Sequence, residues 1–308
     1  MNAKPLLVII AGPTAAGKTA FAIRLAQALQ TEIISFDSRQ FYRELNIGTA
    51  KPSSSELEAA RHHFINSHSV KEDFNVALFE NAALIKIKEL SALYPVVIAV
   101  GGSGLYLKAL IEGLDQFPDI DQEIKLKLEN LFKKEGLPPL KDLLLKYDPA
   151  YYNTVDLNNP RRVIRALEVC LSAGLPYSSF IGQPVSNRNF TTLKFFLSPE
   201  RPELYTRINA RVDQMIEAGF IDEARSLTDL GNLKVLRTVG YTELFAYLDG
   251  RASLTDTIEL IKQNTRRYAK RQITWFKNQG DFERINQGDF ESVLSQIREM
   301  LSHNQTRL

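Results

Sequence analysis

The stretch LLVIIAGPTAAGKTAFAIRLAQAL, Leu6 to Leu29, decides the architecture. Its first six residues form a continuous apolar run, as a strand buried on both faces requires. GPTAAGKT, Gly12 to Thr19, fits G-x-x-x-x-G-K-[ST]. The motif follows the predicted strand and opens a segment with apolar residues at helical spacing, Phe21, Leu25 and Ala28 with Leu29. That context makes it a phosphate loop, whose backbone amides and helix N-terminus cradle an anion. Lys18 adds a point charge and Thr19 a hydroxyl suited to magnesium. The motif does not say whose phosphates are held.

Working outward, EIISFDS (32–38) reads as a second strand with polar residues at its end. NVALFENAALIKIKELSALY (75–94) reads as a helix. PVVIAVGGSGLYLKALIEGL (95–114) reads as a third buried strand, a glycine turn and a helix. This alternation predicts a parallel sheet covered by helices. From about Phe117 the texture changes to helices punctuated by GLPP, DPA and NNP. LKFFLSP (193–199) resembles a return strand, with helices expected over 202–229, 254–277 and 290–302. The expected fold is therefore α/β, a P-loop NTPase-like core with a parallel sheet and an inserted helical subdomain. The core would comprise 1–116 and 191–308, and the insertion 117–190.

Bulk composition narrows the function. The 308 residues suffice for a sizeable core, and a net charge of +2 leaves any nucleic-acid contact to local basic patches. No apolar run approaches the roughly 18 residues that span a bilayer. The opening MNAKP runs into the first strand without space for a signal segment, so a cytoplasmic location is expected. The single cysteine, Cys170, excludes an internal disulfide and reads as a core residue.

P-loop nucleotidases usually hold magnesium with an acid at the end of a later strand. Here VVIAV ends in GGSG, without one. The acid that does follow a strand is Asp37. At the carboxyl edge of a parallel sheet it would face the ligand crevice and be able to act as a general base. A helix N-cap explains the same residue equally well on spacing alone. His62, His63 and His68 cluster in RHHFINSHSV, but their spacing fits no common zinc pattern, so they read as surface or structural residues. IKQNTRRYAKRQITWFK (261–277) carries six basic residues and no acid. Ile261, Thr265, Tyr268, Gln272 and Trp275 follow helical spacing and should face the protein. Trp275 and Phe276 read as core.

GPTAAGKT, DSRQFYRELNIGTAKP, GGSGLYLKAL, RRVIRALE, RVDQMIEAGFIDEA, VGYTEL and TRRYAKRQITWFK occur in this order. Together they resemble the bacterial tRNA dimethylallyltransferases across roughly residues 6–280. DSxQxY…IGTAKP and KRQxTWF are the most distinctive matches.

The resemblance implies that the loop, Gly12, Pro13, Thr14, Ala15, Ala16, Gly17, Lys18 and Thr19, holds the pyrophosphate of dimethylallyl diphosphate. Magnesium would sit at Thr19, and Arg207 or Arg211 would contribute. The acceptor would be the exocyclic amine of the adenosine 3′ of a tRNA anticodon. Asp37, Ser103 and Lys18 would be catalytic, Asp37 as base and Ser103 bonding near the amine. Ser103 stands where threonine is usual. Ser38, Arg39 and Gln40, with Asp37 and Ser103, would meet the acceptor nucleotide. Further RNA contacts are expected from Lys125, from Arg161, Arg162, Val163, Ile164 and Arg165, and from Arg266, Arg267, Lys270 and Arg271. Arg161 replaces a customary glutamine, and Asn46 a customary aspartate that would shape a local hydrogen bond. The expected partners are a tRNA anticodon stem-loop and dimethylallyl diphosphate, with no membrane and the chain acting as a monomer. Three other readings stand beside this one: a small-molecule kinase, a free-nucleotide prenyltransferase and a non-catalytic RNA-binding protein. The basic helix and helical insertion favour a large RNA over a free nucleotide.

Overall fold

Leu6–Ala11 forms β1, and every residue in it is buried. Strand geometry sends alternate side chains to opposite faces. Leu7, Ile9 and Ala11 enter one core, and Leu6, Val8 and Ile10 enter another. A computed structural model describes residues 4–182 and 188–305 and supplies the geometry throughout. Met1 to Ala3 of the opening MNAKP lie outside the described residues.

The chain continues through α1 (Lys18–Leu29), β2 (Ile33–Ser35), α2 (Ser54–Ala59), β3 (His62–His63) and α3 (Val76–Ser91). β4 (Val96–Gly101) and α4 (Gly104–Glu112) follow. Next come four helices, α5 (Gln122–Glu135), α6 (Pro138–Tyr147), α7 (Pro149–Tyr152) and α8 (Pro160–Ala173). Then come β5 (Thr191–Leu197), α9 (Arg201–Glu217), α10 (Phe220–Ser226), α11 (Tyr241–Leu248) and α12 (Leu254–Lys277). β6 (Glu283–Ile285) and α13 (Phe290–Gln305) close the sequence of elements.

The strands form one parallel sheet in the order β3-β2-β4-β1-β5-β6. β1 is central, paired with β4 in the register Leu6↔Val96 to Ala11↔Gly101 and with β5 from Leu6↔Thr191. One face packs on α1 and α13 through Phe21, Leu25, Phe290 and Ile297. The other packs on α3, α4 and α9–α12 through Phe79, Leu107, Val212, Tyr241 and Phe276. Each fully buried Leu or Ile of β1 contributes roughly 1.5–3 kcal/mol relative to exposure. The register places Gly12, Asp37 and Gly102–Ser103 just beyond the carboxyl ends of neighbouring strands, where parallel sheets bind ligands.

The chain divides into two compact units. One is Met1–Ile111 with Arg188–Leu308, the other Glu112–Asn187. The second begins a few residues before the expected position 117 and ends before 190. Its own core is Leu128, Leu140, Leu144, Val163, Ala166 and Leu167. Buried Asp148 accepts from the Tyr151 N–H at 2.9 Å and from the Ser178 N–H at 2.6 Å, joining α7 to the turn at 177–179. Cys170 is buried in α8, as expected of a core residue.

Three details depart from the sequence reading. The stretch 202–229 divides into α9 and α10 because Gly219 takes φ 97°, a left-handed conformation that ends one helix and starts the next. β3 and β6 are too short and too polar to show alternation. α2 and α11 were not anticipated. Among the described residues no helix is long and apolar enough to cross a membrane.

Gly104 starts α4 against the indole of Trp275, where an added Cβ would lie 2.4 Å from ring atoms. A half-buried fused ring packed against the core does not move aside cheaply. Gly104→Ala is expected to lower stability by about 1–3 kcal/mol in urea denaturation, as overpacking does elsewhere.

Candidate active site at the carboxyl edge of the sheet

The phosphate loop turns through two left-handed residues, Ala15 (φ 64°) and Gly17 (φ 89°), and feeds directly into α1. No side chain caps that helix, so its N-terminal amides are disposed to meet an anion. Lys18 folds back to donate to the Pro13 carbonyl at 2.7 Å. Burial lowers its pKa from 10.5 to about 8; the Asp37 charge opposes this, and Arg211 adds to it. Two side chains grip the loop from outside. Gln287 Nε2 donates to the carbonyls of Ala16 and Gly17 at 3.2 Å each, and Arg207 reaches Ala16 O at 3.5 Å. Arg207 also pairs with Glu203 at 2.6 Å.

A cavity of about 800 Å³ opens above the loop. Lys18, Thr19, Asp37, Arg39 and Arg211 line it. Of the two arginines considered from sequence, Arg211 faces this cavity and Arg207 supports the loop. Burial lowers the Arg211 pKa, opposed by Glu56 and Asp37.

Asp37 Oδ1 accepts the Arg39 N–H at 3.0 Å, closing a turn; no helix follows. The helix N-cap alternative is therefore set aside, and the carboxylate stands on the cavity wall. Ser103 and Ser38 bind each other. The Ser103 hydroxyl accepts the Ser38 N–H and donates to Ser38 Oγ, both at 3.0 Å. The pair ties the end of β4 to the turn after β2. Gln40 lines the cavity as well. Its amide nitrogen donates to the carbonyls of Thr49 and Ala50, both at 3.1 Å, so those donors hold the protein's own loop. Asn46, in the aspartate position, accepts from Lys51 Nζ at 2.9 Å.

α12 spans the residues expected and presents the expected face. Ile261, Thr265, Tyr268 and Gln272 line the cavity, and Phe276 is buried. Burial and the Asp37 charge raise the pKa of the Tyr268 phenol well above its ordinary value. Gln272 has a role that the sequence reading missed. Its Oε1 accepts the Thr14 N–H at 2.9 Å and its Nε2 donates to Gly102 O at 2.9 Å, joining the phosphate loop to the end of β4. An uncharged amide on the apolar stripe of a basic helix was the available signal, since a buried amide demands partners. Arg267, Lys270 and Arg271 are exposed on the other faces, whereas Arg266 is tied to Asn209 at 2.6 Å.

In the second unit Arg161, Arg162 and Arg165 are exposed at the start of α8, with Arg165 paired to Glu168 at 3.3 Å and lying over the Phe117 ring. Lys125 is half-buried on α5. Val163 is a correction. It is fully buried in that unit's core, so its side chain offers nothing to RNA, and Ile164 packs against the same core. The helical period that exposes Arg161 and Arg165 turns Val163 inward.

The three histidines have separate partners: Ala60 O for His62, Glu32 for His63, and Ser67 and the Phe74 ring for His68. Among the described residues no group of three or more His, Cys, Asp or Glu could hold a metal. Thr19 on the cavity wall fits a magnesium that arrives with a phosphate group, because such an ion takes most of its oxygens from phosphate and water.

A family model described as IPP transferase matches residues 40–279. The chain belongs to the IPP transferase family. It is 47% identical over 296 residues to the tRNA dimethylallyltransferase of Christiangramia forsetii, covering 94% of this chain and 98% of that one. The tRNA dimethylallyltransferase of Flavobacterium johnsoniae is 47% identical over 277 residues, covering 88% and 90%. Among solved structures, the tRNA isopentenylpyrophosphate transferase of Bacillus halodurans superposes with a TM-score of 0.72 at 36% identity, covering 98% of each chain. A eukaryotic dimethylallyltransferase described as acting on tRNA gives 0.77 at 27% identity, covering 92% of this chain and 76% of that one. The family that the motifs implied is thus the family of the chain.

The depressed Lys18 pKa has a consequence for pH. Below about pH 8 the ammonium is charged; between about 8 and 10.5 the folded, ligand-free protein holds fewer protons here than the unfolded chain does. The Lys18 contribution to stability therefore rises with pH across that window. A bound diphosphate favours the ammonium, so its binding takes up a proton there. Titration calorimetry with pyrophosphate should show the affinity advantage of wild type over Lys18→Ala shrinking from about pH 7 to about pH 10.

Proposed function

We propose that this chain transfers a dimethylallyl group from dimethylallyl diphosphate to the exocyclic amine of the adenosine 3′ of the anticodon in tRNA, releasing pyrophosphate. The observation that carries the reading is one cavity holding both an anion cradle with Lys18 and Arg211 and a carboxylate, Asp37, at the end of a neighbouring strand.

The roles follow from the chemistry. A new C–N bond forms at the first carbon of the prenyl group as its C–O bond to the diphosphate breaks. The electrons of that bond leave on pyrophosphate. The loop amides, Lys18 and Arg211 stabilise this charge more as it develops, which is what lowers the barrier. Magnesium bound at Thr19 would neutralise further charge on the leaving group. The adenine amine is a poor nucleophile until it sheds a proton, and Asp37 accepts it. Ser103, locked to Ser38, keeps the two strand ends that frame the amine in register.

An adenine stacked in an anticodon loop must be extruded to reach such a cavity, at a cost of a few kcal/mol. Contacts to phosphate from Arg267, Lys270 and Arg271 on α12, and from Arg161, Arg162, Arg165 and Lys125 in the helical unit, would offset that cost. The small-molecule kinase reading lacks its carboxylate, because β4 runs into Gly102 and Ser103 without an acid. We place the protein in the cytoplasm with its tRNA substrate.

The test supplies purified protein with magnesium, labelled dimethylallyl diphosphate and unmodified tRNA, with AMP and ADP as parallel acceptors. Label is expected in tRNA alone. Label in AMP or ADP would move the acceptor to a free nucleotide, and ATP consumption without label would return the loop to the kinases. Asp37→Ala is expected to bind tRNA within a few-fold of wild type while transfer falls by roughly 10²–10⁴-fold, the usual contribution of a positioned base.

A further inference from the structure

Residues 46–54 line the cavity without a break and supply a wall of it distinct from the phosphate loop. Apart from the 3₁₀ turn Ile47–Thr49 and the first residue of α2, this segment has no regular structure, so something outside it must fix its shape. The fixing group is Glu223 on α10. Its Oε2 accepts the N–H groups of Asn46 at 3.0 Å and Ile47 at 2.7 Å. Its Oε1 accepts the Gly48 N–H at 2.9 Å and the Tyr241 hydroxyl at 2.5 Å.

Three successive amides pointing at one anion form a nest of the kind that elsewhere binds free phosphate or carboxylate. Here the protein's own side chain fills it. The fit is close on every side. A Cβ on Gly48 would come within 2.3 Å of the Phe220 ring and 2.7 Å of the Tyr241 ring, which pack edge to face. At the far end, Gln40 holds the carbonyls of Thr49 and Ala50, and Lys51 Nζ donates to Tyr42 O and Asn66 Oδ1, both at 2.5 Å.

We propose that Glu223 is a positioning residue for the transfer reaction: acting through the amides of 46–48, it fixes the cavity wall against which the reacting groups are aligned. The inference rests on the transfer reading above. It assigns a reaction-relevant task to a side chain on α10 that is absent from the cavity lining. A carboxylate suits the task because charge-assisted bonds to several N–H groups are stronger than neutral ones, and because four donors match the lone pairs of its two oxygens. The phosphate loop takes no part in the nest, so donor affinity and alignment should separate.

The test uses the full chain, labelled dimethylallyl diphosphate and unmodified tRNA. Glu223→Ala is expected to lower kcat by on the order of 10²-fold, the scale of a misplaced reactant. Its affinity for pyrophosphate should stay unchanged and its thermal unfolding cooperative. Formate should restore part of the rate in Glu223→Ala and leave wild type unaffected, since a small carboxylate can re-enter the empty nest. A folded Glu223→Ala with wild-type kcat would overturn the proposal. So would a loss of rate that formate does not repair, because a merely structural side chain gives that result. If Glu223→Ala does not fold, Tyr241→Phe removes one hydrogen bond to the same carboxylate. It should lower kcat several-fold with pyrophosphate affinity intact, and unchanged kcat there would count against the proposal. Wild type that labels no tRNA would refute the transfer reading alone. Amide hydrogen exchange at 46–48 would then decide the positioning claim, faster exchange in the variant supporting it and equal exchange overturning it.

Discussion

The site depends on one buried carboxamide. Gln272 accepts the Thr14 N–H at its Oε1 and donates from its Nε2 to Gly102 O, so the phosphate loop, the end of β4 and α12 share a single side chain. A carboxamide in this position is costly to replace. An apolar residue of the same size would leave the buried Gly102 carbonyl unpaired, at about 1–3 kcal/mol, and strip the half-buried Thr14 N–H of its partner as well. The space is also fully used, since a Cβ on Gly102 would lie 2.3 Å from the Gln272 nitrogen. The position of α12 along its axis therefore fixes where the loop sits. Tyr268 lies one turn before Gln272 on the same face and lines the cavity, while Arg267, Lys270 and Arg271 occupy the solvent faces. One helix thus separates the cavity from a basic surface, and the two are joined through a rigid rod.

Electrostatics reinforce the anion assignment. Lys18 and Arg211 stand near each other and near Asp37, and burial pushes both cations toward their neutral forms. Asp37, and for Arg211 also Glu56, oppose this, yet burial outweighs them, so a further negative charge entering the cavity would be favoured. A diphosphate would supply that charge and hold Lys18 in its ammonium form to higher pH. On the proposed reading Asp37 would then be free to act as a base, because the cations would be matched by phosphate. The same arrangement in a nucleotide hydrolase would call for a carboxylate to hold the metal after β4, and β4 provides Gly102 and Ser103 instead.

Much of the fold was legible because its signals are local. Fully apolar runs such as Leu6–Ala11 and Val96–Val100 can only be buried parallel strands or core helix, and their length decides for strands. The limits of α12 were readable because its basic and apolar faces alternate at helical period over 24 residues. The phosphate loop and Asp37 were readable as residues, and their meeting followed once both lay at strand ends of one sheet. What escaped was set by tertiary partners. The amide donors of Gln40 go to two carbonyls nine and ten residues away, a pairing that no local pattern marks. Val163 was grouped with its arginine neighbours by motif, although its own helical phase turns it inward. Gln287, which supports the loop across 270 residues of sequence, carries no local mark at all.

The cavity is bounded by two anion nests used in opposite ways. At the N-terminus of α1 no side chain caps the helix, and the space in front of it is cavity. At 46–48 the amides are capped by Glu223, and the bond network continues into Tyr241 and the α10–α11 core. Backbone amides in both places are polar groups that must find a partner. Where the partner is internal, the loop becomes a fixed wall; where none is provided by a side chain, the amides stay open to an anion. Conformational freedom is therefore removed from the wall before any ligand binds, and on the proposed reading the favourable interaction of amide with anion would be reserved for the leaving group. That division is what a transfer enzyme needs, since only interactions that strengthen as charge develops contribute to rate.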